Sequence, residues 1–300
     1  MLYWYRKRRF HPTVFLYSLI AYGGAIALKY AVQIPTLDAV TSFFGEHSVG
    51  LGVYYGLQTV FFEVGLAFLV AWFAVSRGGL GKKDAEAYGS GLAFWENAVL
   101  LGALYLFNLV TYYSILSTDT SLAQTLFNQL STNSPGLFAP ASEALRSVAL
   151  GVVERTASIL IHFAWGYLCF MAAYYRRRRL FLIALPMGFI DFLVPFAQNA
   201  VVAFEAVFLT LAIVSVLVAW YVTRDLRKKP ENTTPTSFLC YKLTTTRYAI
   251  FSPLSLLLYL TPIRGSLHVP VGGGGHYYTE NRQTFPTNLF FRFFLHIETS

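Results

Sequence analysis

"ERTASILIHFAWGYLCFMAAYYRRRR", residues 154–179, decides how this chain is read. It is an apolar run closed by four arginines, and Glu154, Arg155 and His162 are the ionisable residues that interrupt it. About 20 apolar residues in a helix cross a bilayer core, and a basic cluster directly behind such a run marks its cytoplasmic end. The stretch therefore predicts a membrane span over roughly residues 147–175, with its arginines inside.

The rest of the chain repeats the pattern. Further apolar runs of spanning length lie near 13–33, 49–76, 89–115, 180–198 and 201–222, six spans in all. "RKRR" (6–9) precedes the first, Arg77, Lys82 and Lys83 follow the second, and "RDLRKK" (224–229) follows the sixth. The segments 34–48 and 116–146 are nearly free of Lys and Arg, so both ends of the chain are expected in the cytoplasm. Composition agrees: 55% of the 300 residues are hydrophobic and 13% charged, about half the charged share of a soluble domain. The net charge of +8 is concentrated at span ends, which reads as membrane orientation and not as a nucleic-acid surface. Cys169 and Cys240 support neither a disulfide framework nor a cysteine metal site.

The expected fold is thus an all-α polytopic membrane bundle, residues 1–229, partnered by the lipid bilayer. Residues 230–300 open with the linker-like "PENTTPTS" and hold one short apolar stretch, "FSPLSLLLYL" (251–260), so they are read as a low-order C-terminal tail. "GGGG" (272–275) lacks the Gly-Lys-Ser/Thr ending of a phosphate loop. "RKRR" followed by an apolar stretch and Ala25-Ile26-Ala27 also fits a cleaved signal peptide. A retained first span is preferred, because its removal would upset the charge alternation. Residues 116–146 are expected to include a short amphipathic helix along the outer surface.

Ionisable groups at membrane depth are costly and face a bundle interior or cavity. Glu63, Glu96, Glu154, Asp191 and Glu205 qualify, together with Arg155 and His162. At about 1.5 Å per residue, Glu63, His162 and Asp191 fall near mid-membrane, Glu96 deeper toward the inner end, and Glu154 and Glu205 nearer the outside. Glu154 and Arg155 are neighbours and point about 100° apart on a helix. They are expected to serve architecture, either pairing with other helices or as a structural polar pair in which Arg155 neutralises Glu154 or Glu205. His162 with Glu63, Glu96 and Asp191 leaves two readings open: a hydrogen-bonded polar core, or a site for a divalent metal such as zinc, which would keep buried carboxylates ionised.

At these residues the chain resembles a known family. "GLAFWENAVLLG" (91–102), "ERTASILIHFAWG" (154–166) and "LPMGFIDFLVPFA" (185–197) are similar to the motifs of YhfC intramembrane metalloproteases, relatives of PrsW and, more remotely, CAAX prenyl proteases. The likeness covers roughly 50–200. It implies Glu63 as the general base that activates water, and Glu96, His162 and Asp191 as ligands of a divalent metal, zinc by expectation. It also implies a membrane-associated peptide substrate and a prokaryotic plasma membrane. The chain departs from the family pattern at Phe62 and Leu66, where a second Glu and an Arg are usual, and at Met187, where a His is usual. A catalytically inactive relative acting as scaffold or substrate-binding subunit is the alternative reading. A transporter or proton relay ranks third, since no internal repeat or paired broken helices are evident.

Overall fold

The computed structural model describes residues 10–117, 121–133, 138–199 and 201–228. "RKRR" (6–9), Cys240 and the whole expected tail after Lys229 lie outside the described residues. Those described are helical, with no strand among them. Six helical segments are long and apolar enough to cross a membrane: Thr13–Phe44, Val49–Ser76, Lys82–Ile115, Ala141–Tyr175, Arg178–Ala197 and Val201–Lys228. Each contains most of one run read from the sequence.

In chain order, α1 is Thr13–Phe44 and α2 is Val49–Gln58, capped by the Ser48 hydroxyl on the Leu51 amide. After a π turn at Thr59–Val64, α3 runs Gly65–Ser76. The third span combines α4 (Ala85–Phe94), a second π turn (Trp95–Leu101) and α5 (Gly102–Ser117). A helix does occur in the expected loop, α6 (Ser121–Asn133). The fourth span is α7 (Ala141–Tyr175), ended by Arg176 in the left-handed conformation (φ 51°). The fifth is α8 (Arg178–Gly188) continued by a 3-10 segment, Phe189–Asn199, and the sixth is α9 (Val201–Lys228).

The first span runs beyond its expected end. α1 passes through Pro35 and stops only before Gly45. Proline is tolerated inside membrane helices, and beside Pro35 the Thr36 hydroxyl donates to the Val32 carbonyl at 2.6 Å.

α7 is the axis of the bundle. Of its apolar stretch 78% is buried, against 11% for the third span, and α3, α4, α8 and α9 all pack on it. Without a hydrophobic force between helices in lipid, small residues let backbones meet closely. A Cβ on Gly166 would lie 2.9 Å from the Gly89 Cα, so α7 and α4 touch backbone to backbone there. Gly52 and Gly56 do the same for α2 against the 3-10 segment, where added Cβ atoms would come within 2.5 Å of the Phe192 carbonyl and 2.9 Å of the Phe189 ring.

The basic span ends gather at one end of the bundle. There the His11 amide donates to Asp84, Lys82 to the Arg227 carbonyl, and the Tyr175 hydroxyl to the Leu226 carbonyl. At the opposite end the His47 ring meets the Pro195 carbonyl at 2.8 Å. An up-and-down bundle produces this segregation, with most of the positive charge at one end.

Candidate functional site

Three of the four candidate residues sit where the helix is not a regular α-helix. Glu63 lies in the first π turn, Glu96 opens the second, and Asp191 lies in the 3-10 segment. His162 alone comes from regular helix, in α7. π turns recur at functional sites because the extra residue re-aims side chains that an α-helix would direct elsewhere.

These irregular turns bring all four side chains into one chain of contacts. His162 Nε2 lies 2.7 Å from Glu96 Oε2 and 3.1 Å from Glu63 Oε2. The other oxygen of Glu63 accepts a charged hydrogen bond from Lys29, whose Nζ is also 3.1 Å from Asp191 Oδ2. The Thr59 hydroxyl donates to that same Asp191 oxygen. Lys29, Glu63, Glu96 and His162 are each exposed by 9% or less, so these contacts lie inside the bundle.

The orientation of His162 follows from its second nitrogen. Nδ1 is 2.9 Å from the Ser158 carbonyl, which can only accept, so Nδ1 carries a hydrogen. In a neutral ring the lone pair then belongs to Nε2, which faces the two carboxylates. A proton or a cation must lie between such groups. Ser158 supports the arrangement further: its hydroxyl donates to Glu96 Oε2 (3.2 Å) and receives the Asn97 amide (3.2 Å). The Trp165 ring packs on the imidazole with centroids 4.2 Å apart. A cavity of about 100 Å³ opens onto Lys29, Glu63, Glu96, His162 and Asp191, with Arg155 on its wall, and has room for several waters.

Lys29 was not singled out by the sequence reading. Its signal was present, since a lone ammonium within "AIALKYAVQ" (25–33) is as costly at that depth as the acids. Gln33 and Gln58, hydrogen-bonded to each other at 2.8 Å one turn along α1, belong to the same polar stripe.

Glu154 and Arg155 form an ion pair with each other, because the long guanidinium side chain folds back across the angle between neighbours. Arg155 also reaches Asn97 on the third span at 3.5 Å. Its Nε and one oxygen of the buried Glu205 have no hydrogen-bond partner among the described residues.

Among the described residues no three His, Cys, Asp or Glu side chains are arranged as a ready-made metal site. The reason is visible: the donors close on one another and on Lys29. The donor chemistry nonetheless suits a divalent cation. Three carboxylates face one ammonium, which leaves two negative charges when the imidazole is neutral, and buried charge needs compensation. A metal-ligating His also ordinarily donates its other nitrogen to a backbone carbonyl or carboxylate, as His162 does to Ser158. The residues present fit the ion.

The family model for YhfC, described as YhfC intramembrane metalloprotease, matches residues 1–223. No curated protein and no solved structure matches the chain.

Proposed function

Because this chain belongs to the YhfC intramembrane metalloprotease family, we propose that Glu63, Glu96, His162 and Asp191 form its hydrolytic centre and cleave a membrane-associated peptide. The observation that carries this reading is the single hydrogen-bonded cluster of these four residues from four spans, lining one cavity. His162 and Glu96 would hold a divalent ion, with Asp191 as the third donor. When bound, the ion would supply Lewis-acid polarisation of the scissile carbonyl; one imidazole with carboxylates suits zinc or a harder ion such as manganese.

The remaining chemistry belongs to the side chains. Glu63 is the general base: its carboxylate takes a proton from the attacking water and passes it to the leaving amine. Lys29 and His162, one on each Glu63 oxygen, keep that carboxylate oriented. Ser158 fixes both His162 and Glu96. Water reaches the cavity along the polar stripe of Lys29 and Gln33 from the non-basic end of the bundle. The substrate enters sideways from lipid beside the third span, the least enclosed of the six, whose π turn carries Glu96. The cellular setting proposed is a prokaryotic plasma membrane.

A specific observation also favours the inactive-relative reading. Met187 is buried where the family pattern has an imidazole, and Lys29 already pairs with two of the acids. One experiment separates the two. Protein purified in detergent should carry a divalent metal that His162→Ala and Glu96→Ala lose. Glu63→Gln should keep the metal yet abolish new peptide termini in proteoliposomes containing native membrane proteins. Metal bound by wild type without any Glu63-dependent cleavage would establish the inactive form.

A further inference from the structure

We propose that Lys29 is a tethered cation that holds Glu63 and competes with the divalent ion for Asp191, and thereby sets the metal affinity of the site. This rests on the hydrolytic-centre reading above and goes beyond it by adding the residue that governs loading.

Lys29 is anchored in α1, is 8% exposed, and reaches two of the three carboxylates of the cluster from the side opposite His162. Its position divides the site in two. On one side, His162 Nε2 meets Glu96 and one oxygen of Glu63. On the other, the ammonium holds the second oxygen of Glu63, and together with the Thr59 hydroxyl it holds Asp191 Oδ2. Asp191 is therefore tied to Lys29 and Thr59 and, among the described residues, hydrogen-bonds neither His162 nor Glu96.

Two consequences follow from charge alone. An arriving ion meets a donor set whose negative charge is already reduced by one fixed positive charge. It must also draw Asp191 away from Lys29 before that carboxylate can serve it. A protein ammonium that satisfies buried acids in the ion's absence keeps the empty site folded, because carboxylates stripped of every cation would be strongly destabilising in the bundle. Lys29 thus makes the metal-free protein stable at the expense of affinity.

The test is a zinc titration of the full-length protein in detergent, against a competing chromogenic chelator, for wild type, Lys29→Met, Lys29→Gln and Lys29→Arg. Removing the charge should tighten zinc binding at least tenfold in both neutral variants, while Lys29→Arg stays within about threefold of wild type. Zinc should also raise the melting temperature of the neutral variants more than that of wild type. A neutral variant that folds only when zinc is supplied supports the proposal, since the ion then takes the ammonium's place. A neutral variant that stays unfolded with zinc, or binds zinc no more tightly than wild type, overturns it while wild-type binding leaves the hydrolytic reading intact. If neither wild type nor any variant binds zinc or manganese up to millimolar concentration, both fall together.

Discussion

Ser158→Ala is the most informative single change at the centre. Ser158 is almost fully buried, and its hydroxyl donates to Glu96 Oε2 at 3.2 Å while accepting from Asn97 at 3.2 Å. Alanine removes one oxygen and leaves a space too small to matter as a cavity. The backbone carbonyl that orients His162 stays, so the ring keeps its tautomer. What is lost is a hydrogen bond to a charged acceptor, worth about 1.5–3 kcal/mol. The Asn97 amide retains the Ala93 carbonyl at 3.0 Å, which limits the collateral cost.

If Glu96 holds the ion, its loosened carboxylate converts that energy into roughly 10- to 100-fold weaker metal binding, the usual effect of losing a group that supports a ligand. A chelator-competition titration measures the affinity, and thermal unfolding in detergent measures the stability. The expected pattern is weaker metal binding with a melting temperature only slightly lower. An unchanged affinity would refute the assignment of Glu96 as a ligand. A large fall in stability with affinity preserved would make Ser158 a packing residue instead.

Other changes probe the surroundings. Arg155→Ala leaves Glu154 without its ion-pair partner, at a cost of about 1–3 kcal/mol, so expression and melting temperature should fall while bound metal per folded molecule holds; metal loss from a well-folded variant would place Arg155 in the site itself. A chain ending at Lys229 should insert and melt as the full chain does, because the spans are complete by Lys228; a sharp drop in melting temperature would reveal a docking element beyond it. Cysteine probes at Arg178 and Glu46, both exposed, should label from the cytoplasm and from outside respectively; the reverse pattern would overturn the orientation read from charge.

The spans and their polar intruders were legible because hydropathy and charge are local properties. A run such as 154–179 announces its environment without reference to any other helix, and an acid inside it announces its cost. Glu63, Glu96, His162 and Asp191 could be nominated on that basis. Lys29 obeys the same rule, as a lone ammonium within an apolar run. Its partners were beyond any local rule, since Glu63 and Asp191 lie on other spans.

Direction was the part that only the tertiary structure decided. Reading a face from sequence assumes 3.6 residues per turn, and that assumption fails at Thr59–Val64, Trp95–Leu101 and Phe189–Asn199, the three places where the acids stand. At Glu154 and Arg155 a regular helix sets the two residues apart and a flexible side chain rejoins them, so which acid the guanidinium takes was likewise a matter for the structure. Hydropathy settled which residues had to leave the lipid. Which of them would meet depended on non-α turns and on glycine contacts that let helix backbones close on one another, and neither is encoded within a single span.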